Sequence, residues 1–447
     1  MPTTEGQLPL EENRRIFREQ IAPVFLDGCT PQSAPIVVIV AGQTGAGKTA
    51  VTRMVKDALD LNGPAAWINM DFYNPHHPQY ASWQAERPQE ADALVRPDGD
   101  LWWEQAQEYA LARGFSILLE SAMVSPAEYE DICRRVQGAA LPPAVAPYRI
   151  ETAFVAVPGP ISRFGIMGRY LDELQERGHG RLVDPDIHDA ALRGVLRGAA
   201  ALEREGLGDY AAVLRRDGHT VHAQTITAGQ STPEDQLTLV TAIEREHARV
   251  QSPAEAAQFV ARHAAATVMA PAFALPGLDY IARAAAPLLP PPSTPWREAA
   301  ARAVQLRGVF PAADPDLTLV ARTDADVVQF LAHALAAHHT ALGAESVQAG
   351  TQHEATVERL LGELARRASL SPDQREREQQ QRHALRTADH RTVSEAGVAL
   401  PARPSAVAAR SRSTTTLRAS GSIAPVPRPA TAPRPADGPE HRRGHGR

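Results

Sequence analysis

Eight consecutive residues, GQTGAGKT at 42–49, fit the pattern G-x-x-x-x-G-K-[ST] in full. The chemistry of such a segment is phosphate binding. Gly42 and Gly47 permit the backbone angles of a tight loop. Gln43, Thr44, Gly45 and Ala46 supply amide N–H groups, and the last two add little bulk. Lys48 brings a point charge to the β and γ phosphates of a nucleotide, and the Thr49 hydroxyl suits Mg²⁺. Two carboxylates are candidate partners, Asp71 and Glu120, each closing an apolar run. A carboxylate there takes a proton from an attacking hydroxyl or holds Mg²⁺ through water. Positive charge near a transferring phosphate is offered by Arg163, Arg169, Arg177 and Arg181 in the segment 162–191.

These groups act together only if the chain places them on one edge. Residues 1–226 read as α/β. The runs IVVIVA (36–41), AAWINMD (65–71), FSILLE (115–120) and IETAFVAV (150–157) predict strands. Helices are predicted at 11–26, 100–113 and 125–136. The last opens as a capping box, with Ser125 as N-cap, Pro126 after it and Glu128 three positions on. Alternating strands and helices imply a mostly parallel, doubly wound sheet. The phosphate loop then runs from a strand into a helix, whose apolar positions Val51, Met54, Val55, Ala58 and Leu59 keep helical spacing. Ligands of such sheets bind at the carboxyl ends of the strands, where Asp71 and Glu120 fall. Asp217-Gly218 between two short β runs predicts a hairpin. Residues 227–370 are Ala-rich with helical periodicity and predict a separate helical region. Residues 371–447, rich in Arg, Pro, Ser and Ala, predict a disordered, basic tail.

Bulk properties narrow the function. The chain has 447 residues and a net charge of −6, which does not call for nucleic acid or an acidic membrane. Two distant cysteines, Cys29 and Cys133, exclude a disulfide framework and suit a reducing cytosol. The N-terminal residues carry no signal-peptide pattern and no apolar run reaches the length of a membrane span, so a cytoplasmic location is expected. The only lysines are Lys48 and Lys56, so the N/T-K-x-D segment that reads guanine is absent and ATP is favoured over GTP. The third strand ends with Glu120 alone, unlike the Asp-Glu ending of many transport ATPases. A compact phosphotransferase fits better. His76 and His77 have no third metal ligand nearby and read as loop residues.

In order along the chain, GQTGAGKT, DFYNPHHPQY, the strand ending ILLES, GRYLDEL and RLVDPDIHD resemble the zeta toxin family of P-loop kinases over about 10–226. The resemblance implies ATP-dependent phosphorylation of the 3′-hydroxyl of UDP-N-acetylglucosamine, toxicity through cell-wall synthesis, and a small helical antitoxin as partner. By the same resemblance Lys48 binds phosphate and Thr49 the metal. Asp71 is the base on the sugar hydroxyl, Glu120 meets the sugar or the metal shell, and His77 joins the substrate side. Arg169 and Arg181 stabilise the transferring phosphate. The chain departs from the family at Asn74, where a basic residue is usual, and at Ala122 and Val124 after the third strand. These departures lie on the acceptor side. Two alternatives stay open: a kinase of another small hydroxylated molecule, such as an antibiotic, and a non-catalytic protein whose interactions are gated by nucleotide.

Overall fold

The computed structural model describes residues 5–395, apart from 88–89, 124, 144, 179, 181, 228–237, 308–315, 317–318, 320 and 345. Helix α1 (Leu10–Ile16) continues through a π-helical turn (Phe17–Ile21) into α2 (Ala22–Phe25). Strand β1 (Ile36–Ala41) leads into α3 (Lys48–Leu59), then β2 (Ala66–Ile68), α4 (Tyr80–Glu86) and α5 (Ala91–Ala112). Next come β3 (Ile117–Ser121), α6 (Pro126–Gln137), β4 (Arg149–Val155), α7 (Gly159–Arg177) and α8 (Pro185–Glu205). A hairpin of β5 (Tyr210–Leu214) and β6 (Thr220–Thr225) closes the α/β part.

The six strands form one sheet in the order β2-β3-β1-β4-β5-β6, parallel except for β6. β1 lies between β3 (Val37 beside Ile117) and β4 (Ile36 beside Arg149). Successive side chains of a strand face opposite sides, so β1 feeds two cores. Val37, Ile39 and Ala41 enter the larger one, with α1, α5, α6 and α8. Val38 and Val40 meet Val51 and Val55 of α3 on the other face. This double burial is why the run 36–41 has no polar alternation.

The second half is helical: α9 (Leu239–His247), α10 (Pro253–Met269), α11 (Leu275–Ala285), α12 (Thr294–Leu306), α13 (Asp324–Gly343), α14 (Val347–Ala368) and α15 (Pro372–Glu395). The boundary expected after 226 does not separate two cores. Leu239, Ala242 and Ile243 of α9 sit in the sheet's larger core. Conversely Phe164, Met167 and Tyr170 of α7 belong to the helical core, with Val260, Ala264 and Leu331. Helix α7 therefore serves both halves.

Three local expectations need correction. Disorder was expected from 371, yet α15 runs to Glu395. It is mostly polar and makes ion pairs to the preceding helices, Arg366 to Glu378 at 2.7 Å and Arg382 to Asp324 at 3.3 Å. The remainder of the predicted tail lies outside the described residues. The capping box at Ser125 is not formed, because the Glu128 carboxylate instead accepts from Ser121 Oγ at 2.9 Å. The helix expected from Asp100 begins nine residues earlier, through Pro97 and Gly99. Tertiary contacts override the breaker signal there. Buried Asp98 accepts from Asn13 Nδ2 (2.8 Å) and the Leu8 amide (3.1 Å), and Gly99 lies against Met70.

Candidate active site

The loop 42–49 joins β1 to α3, as its pattern requires. Gly45 (φ 79°) and Gly47 (φ 86°) occupy the left-handed region that side chains disfavour. At Gly45 there is also no room: a Cβ would stand 2.0 Å from the Ser162 carbonyl oxygen of α7. Gly165 of α7 faces the loop in return, and a Cβ there would stand 2.5 Å from the Gly45 oxygen. Backbone thus packs on backbone, and α7 sets the position of the loop.

A polar chain braces the same contact. The buried Gln43 side chain donates to the Val157 carbonyl (2.6 Å) and lies 3.3 Å from Ser162 Oγ. Ser162 Oγ bonds His188 Nε2 at 2.8 Å, and His188 Nδ1 bonds Asp189 at 2.9 Å. Asp189 accepts from Arg163 at 2.6 Å. Ser, His and Asp lie in series, but Ser162 is fully buried and spends its hydroxyl on α7 and on the loop. The series is a positioning device. It accounts for the His188-Asp189 end of the RLVDPDIHD segment.

Lys48 Nζ donates to the carbonyls of Gly42 (2.7 Å) and Gln43 (3.4 Å). Burial lowers its pKa to about 8. Glu120, Asp71 and Glu128 oppose that shift, and the Arg169 charge reinforces it. Four charged side chains from separate segments therefore act on one ammonium group. Burial raises the Glu120 pKa against the pull of Lys48. Asn69 Nδ2 reaches Glu120 Oε1 at 3.5 Å and, through Oδ1, also accepts from the Asp71 amide at 2.9 Å. Asp71 is not the last residue of β2, which ends at Ile68. It stands in a 3₁₀ turn just beyond, capped by Asn69, with its side chain exposed at the carboxyl edge of the sheet.

The remaining expected residues divide. Thr49 is the second residue of α3 and is exposed. Arg169 is exposed on α7 within the electrostatic reach of Lys48. Arg163 is engaged by Asp189 and by the Tyr280 ring at 5.1 Å. Arg177 is the last residue of α7. Arg181 and Val124 lie outside the described residues. His77 does not face the site. It is buried, stacks on Trp83 (4.7 Å between centroids), accepts from the Gln79 amide and lies 3.5 Å from Asp98. These contacts make it a structural tie between the 70–80 loop and α5. Asn74 is buried near Gly99. After Glu120 the chain turns through Met123 at φ 49°, a conformation that costs a non-glycine residue of order 1–3 kcal/mol. Met123 is pressed against Gly198 of α8, where a Cβ would fall 2.1 Å from its sulfur.

Arg216 was not anticipated. Its guanidinium donates to the carbonyls of Gly45 (2.7 Å) and Ala46 (3.1 Å), clamping the outer side of the loop. Its position just past the end of β5, on the ligand-binding edge, is the signal that marks it.

For Mg²⁺ the donor set fits: a hydroxyl at Thr49 and carboxylates at Glu120 and Asp71 around one lysine, hard oxygen donors of the kind the ion takes. Among the described residues no cluster of three or more His, Cys, Asp or Glu forms a dedicated metal cage.

Fold and loop define an α/β domain with a P-loop between its central strand and the following helix. Residues 24–227 match the family model described as Zeta toxin, over the stretch in which the ordered motifs fall. One solved structure, from work on the PezAT chromosomal toxin-antitoxin system of the human pathogen Streptococcus pneumoniae, is 15% identical, with 54% of this chain and 89% of that chain covered and a TM-score of 0.45. No curated protein matches the chain. Among the described residues no helix is long and apolar enough to cross a membrane.

Proposed function

We propose that this chain is an ATP-dependent phosphotransferase of zeta-toxin type. The reading rests on one observation: Lys48, wrapped by loop carbonyls, feels Glu120, Asp71 and Arg169 from three other segments at one sheet edge. An acceptor hydroxyl oxygen bonds to the γ-phosphorus as the bond to the ADP oxygen breaks, and Asp71 takes the hydroxyl proton. Lys48 and Arg169 neutralise charge on the transferring group, with Arg181 assigned beside them by the family resemblance. Glu120, between Lys48 and Asn69, holds the acceptor or the water around the metal. Mg²⁺, when bound through Thr49 and phosphate, screens the phosphate charge.

The acceptor of first choice is the 3′-hydroxyl of UDP-N-acetylglucosamine, which would make the protein a toxin with a helical antitoxin as partner. The altered turn at Ala122–Met123 and the buried Asn74 favour a second reading on the acceptor side only, another hydroxylated small molecule. The test is mass spectrometry of UDP-N-acetylglucosamine incubated with the full chain, ATP and Mg²⁺, beside Lys48→Ala and Asp71→Asn. One added phosphate, lost in both variants, supports the first reading. No added phosphate with ATP still bound moves the search to other hydroxyls. ATP binding with every biological effect intact in Asp71→Asn would favour a non-catalytic, nucleotide-gated protein.

A further inference from the structure

A cavity of about 310 Å³ lies beside the phosphate loop, within the lower range of small-ligand sites. Its near wall is formed by Val157 and Pro158 after β4, Ile161 and Phe164 of α7, and Arg216 after β5. Its far wall belongs to the helical half, with Gln258, Phe259 and Arg262 of α10. We propose that this cavity receives the nucleoside of the bound nucleotide, and that α10 supplies the side chains that select it. The proposal rests on the phosphotransferase reading and adds to it a role for the second half of the chain.

Position supports it first. The cavity opens past the carboxyl ends of β4 and β5, the edge on which Lys48 also stands. It shares residues with the phosphate site, since Arg216 lines it while donating to the carbonyls of Gly45 and Ala46. Phe164 lies between Ser162 and Gly165, which with Ile166 are the α7 residues packed against Gly45. A nucleotide with its phosphates on the loop therefore has this cavity next to them.

Chemistry supports it second. The floor is apolar and aromatic, with Phe164 and Phe259 edge to face at 5.4 Å between centroids. The rim is polar, with an amide at Gln258 and a guanidinium at Arg262, both exposed. A flat heteroaromatic base with polar edges matches that lining. Arg262 sits 5.8 Å above the Phe164 ring, and its charge adds to burial in disfavouring charge on Arg216. A ring between the two guanidinium groups, or an anion nearby, relieves that repulsion.

The far wall is fixed in place. Arg215 pairs with Glu246 (2.8 Å), Glu246 with Arg249 (2.9 Å), and Arg249 with Glu255 (2.7 Å). This chain of ion pairs joins the end of β5 to the first turn of α10.

The test is calorimetric titration of the full chain with ATP and with inorganic tripolyphosphate, both with Mg²⁺. The proteins are the wild type, Gln258→Ala/Arg262→Ala, and Lys48→Ala, with melting curves to show that the surface variant remains folded. The expected result is an ATP affinity lowered about tenfold in the α10 variant, with tripolyphosphate binding kept within about twofold. Lys48→Ala weakens both ligands. Three outcomes overturn the proposal: unchanged ATP binding in the α10 variant, equal losses for the two ligands, or a wild type that binds tripolyphosphate as tightly as ATP. If the wild type binds neither ligand, the phosphotransferase reading falls and takes this one with it. If Lys48→Ala abolishes binding while the α10 variant is silent, only this one falls.

Discussion

The α/β half and the helical half are both well packed, but by different means. The sheet half uses residues that a particular backbone geometry demands, such as Gly45 and Gly47 at positive φ and a β1 with no polar alternation. The helical half packs through many alanines around a few large anchors, including Trp296, Leu331 and Leu361. Special geometry leaves a mark in sequence, and an alanine-rich helix stack leaves little beyond periodicity. The halves differ in another way. The sheet half holds the phosphate loop, and among the described residues the helical half approaches it through the shared α7 and the α10 wall. If that asymmetry is right, damage to the shared element should exceed damage to the wall.

The largest expected effect tests whether the halves are separable. Ending the chain at residue 226 removes α9 from the sheet core and uncovers Phe164, Met167 and Tyr170. Exposing one buried side chain of that size costs about 1.5–3 kcal/mol, so three consume much of a domain's stability. Thermal unfolding followed by circular dichroism should show no cooperative transition for residues 1–226 near that of the full chain. A fragment that melts cooperatively at the same temperature would make α7 a passenger of the second core.

The next effect concerns how α7 meets the loop. Gly165→Ala places a methyl against the Gly45 carbonyl oxygen, and neither backbone can yield without moving the other. Overpacking of this kind costs about 1–3 kcal/mol, and the loop is what shifts. ATP affinity should drop by about tenfold or more. Gly168→Ala, on the same helix, meets nothing closer than the Arg262 guanidinium at 3.8 Å and should bind normally. Equal behaviour of the two variants would show that α7 does not set the loop.

A subtler contrast separates binding from stability at Lys48. Its pKa is lowered from 10.5 to about 8 in the folded chain, chiefly by burial. Between pH 8 and 10.5 the unfolded chain holds the extra proton, so without nucleotide this lysine makes stability rise with pH. Nucleotide affinity should move the opposite way, because phosphate needs the ammonium form. Below pH 8 the charge is already present. Above it, ATP binding should take up as much as one proton, measurable by calorimetry in buffers of different ionisation enthalpy. Binding with no proton uptake at pH 9 would contradict the enclosure of Lys48.

Much of this was legible in the chain. The edges of β1, the loop, the hairpin at Asp217-Gly218 and the grouping of Lys48 with Glu120 and Asp71 follow from local rules. What was not legible depends on partners distant in sequence. Pro97 and Gly99 look like helix breakers until Asp98 is seen holding Asn13 and Leu8. Residues 372–395 look too polar to order until Glu378 and Arg382 meet α14 and α13. His77 reads as a loop residue, with a substrate-side place only by the family resemblance, and its burial against Asp98 could not be read from the segment itself. Arg216 has no motif at all, and only the closing of the sheet brings it over Gly45.

The smallest expected effect probes the wall itself. Glu255 accepts from the Ser252 amide at 2.8 Å in the capping box of α10 and pairs with Arg249. Arg249 is the first cause of its pKa, which lies at about 2. A depressed carboxyl pKa contributes stability that is present above the ordinary carboxylate range and is lost as pH falls from there toward 2. Glu255→Gln keeps the cap acceptor and removes the charge. Because the side chain is 39% exposed, the loss at pH 7 should stay below about 1 kcal/mol. It should shrink further at pH 3, where the carboxyl of the unfolded chain is already protonated while the folded one still holds its charge. The informative comparison is with ATP affinity. If α10 is a wall of the nucleoside cavity, loosening its first turn should weaken ATP more than tripolyphosphate, even where the melting temperature barely moves. A loss of stability with no such difference would leave the Arg215–Glu246–Arg249–Glu255 series as a plain strut between the halves.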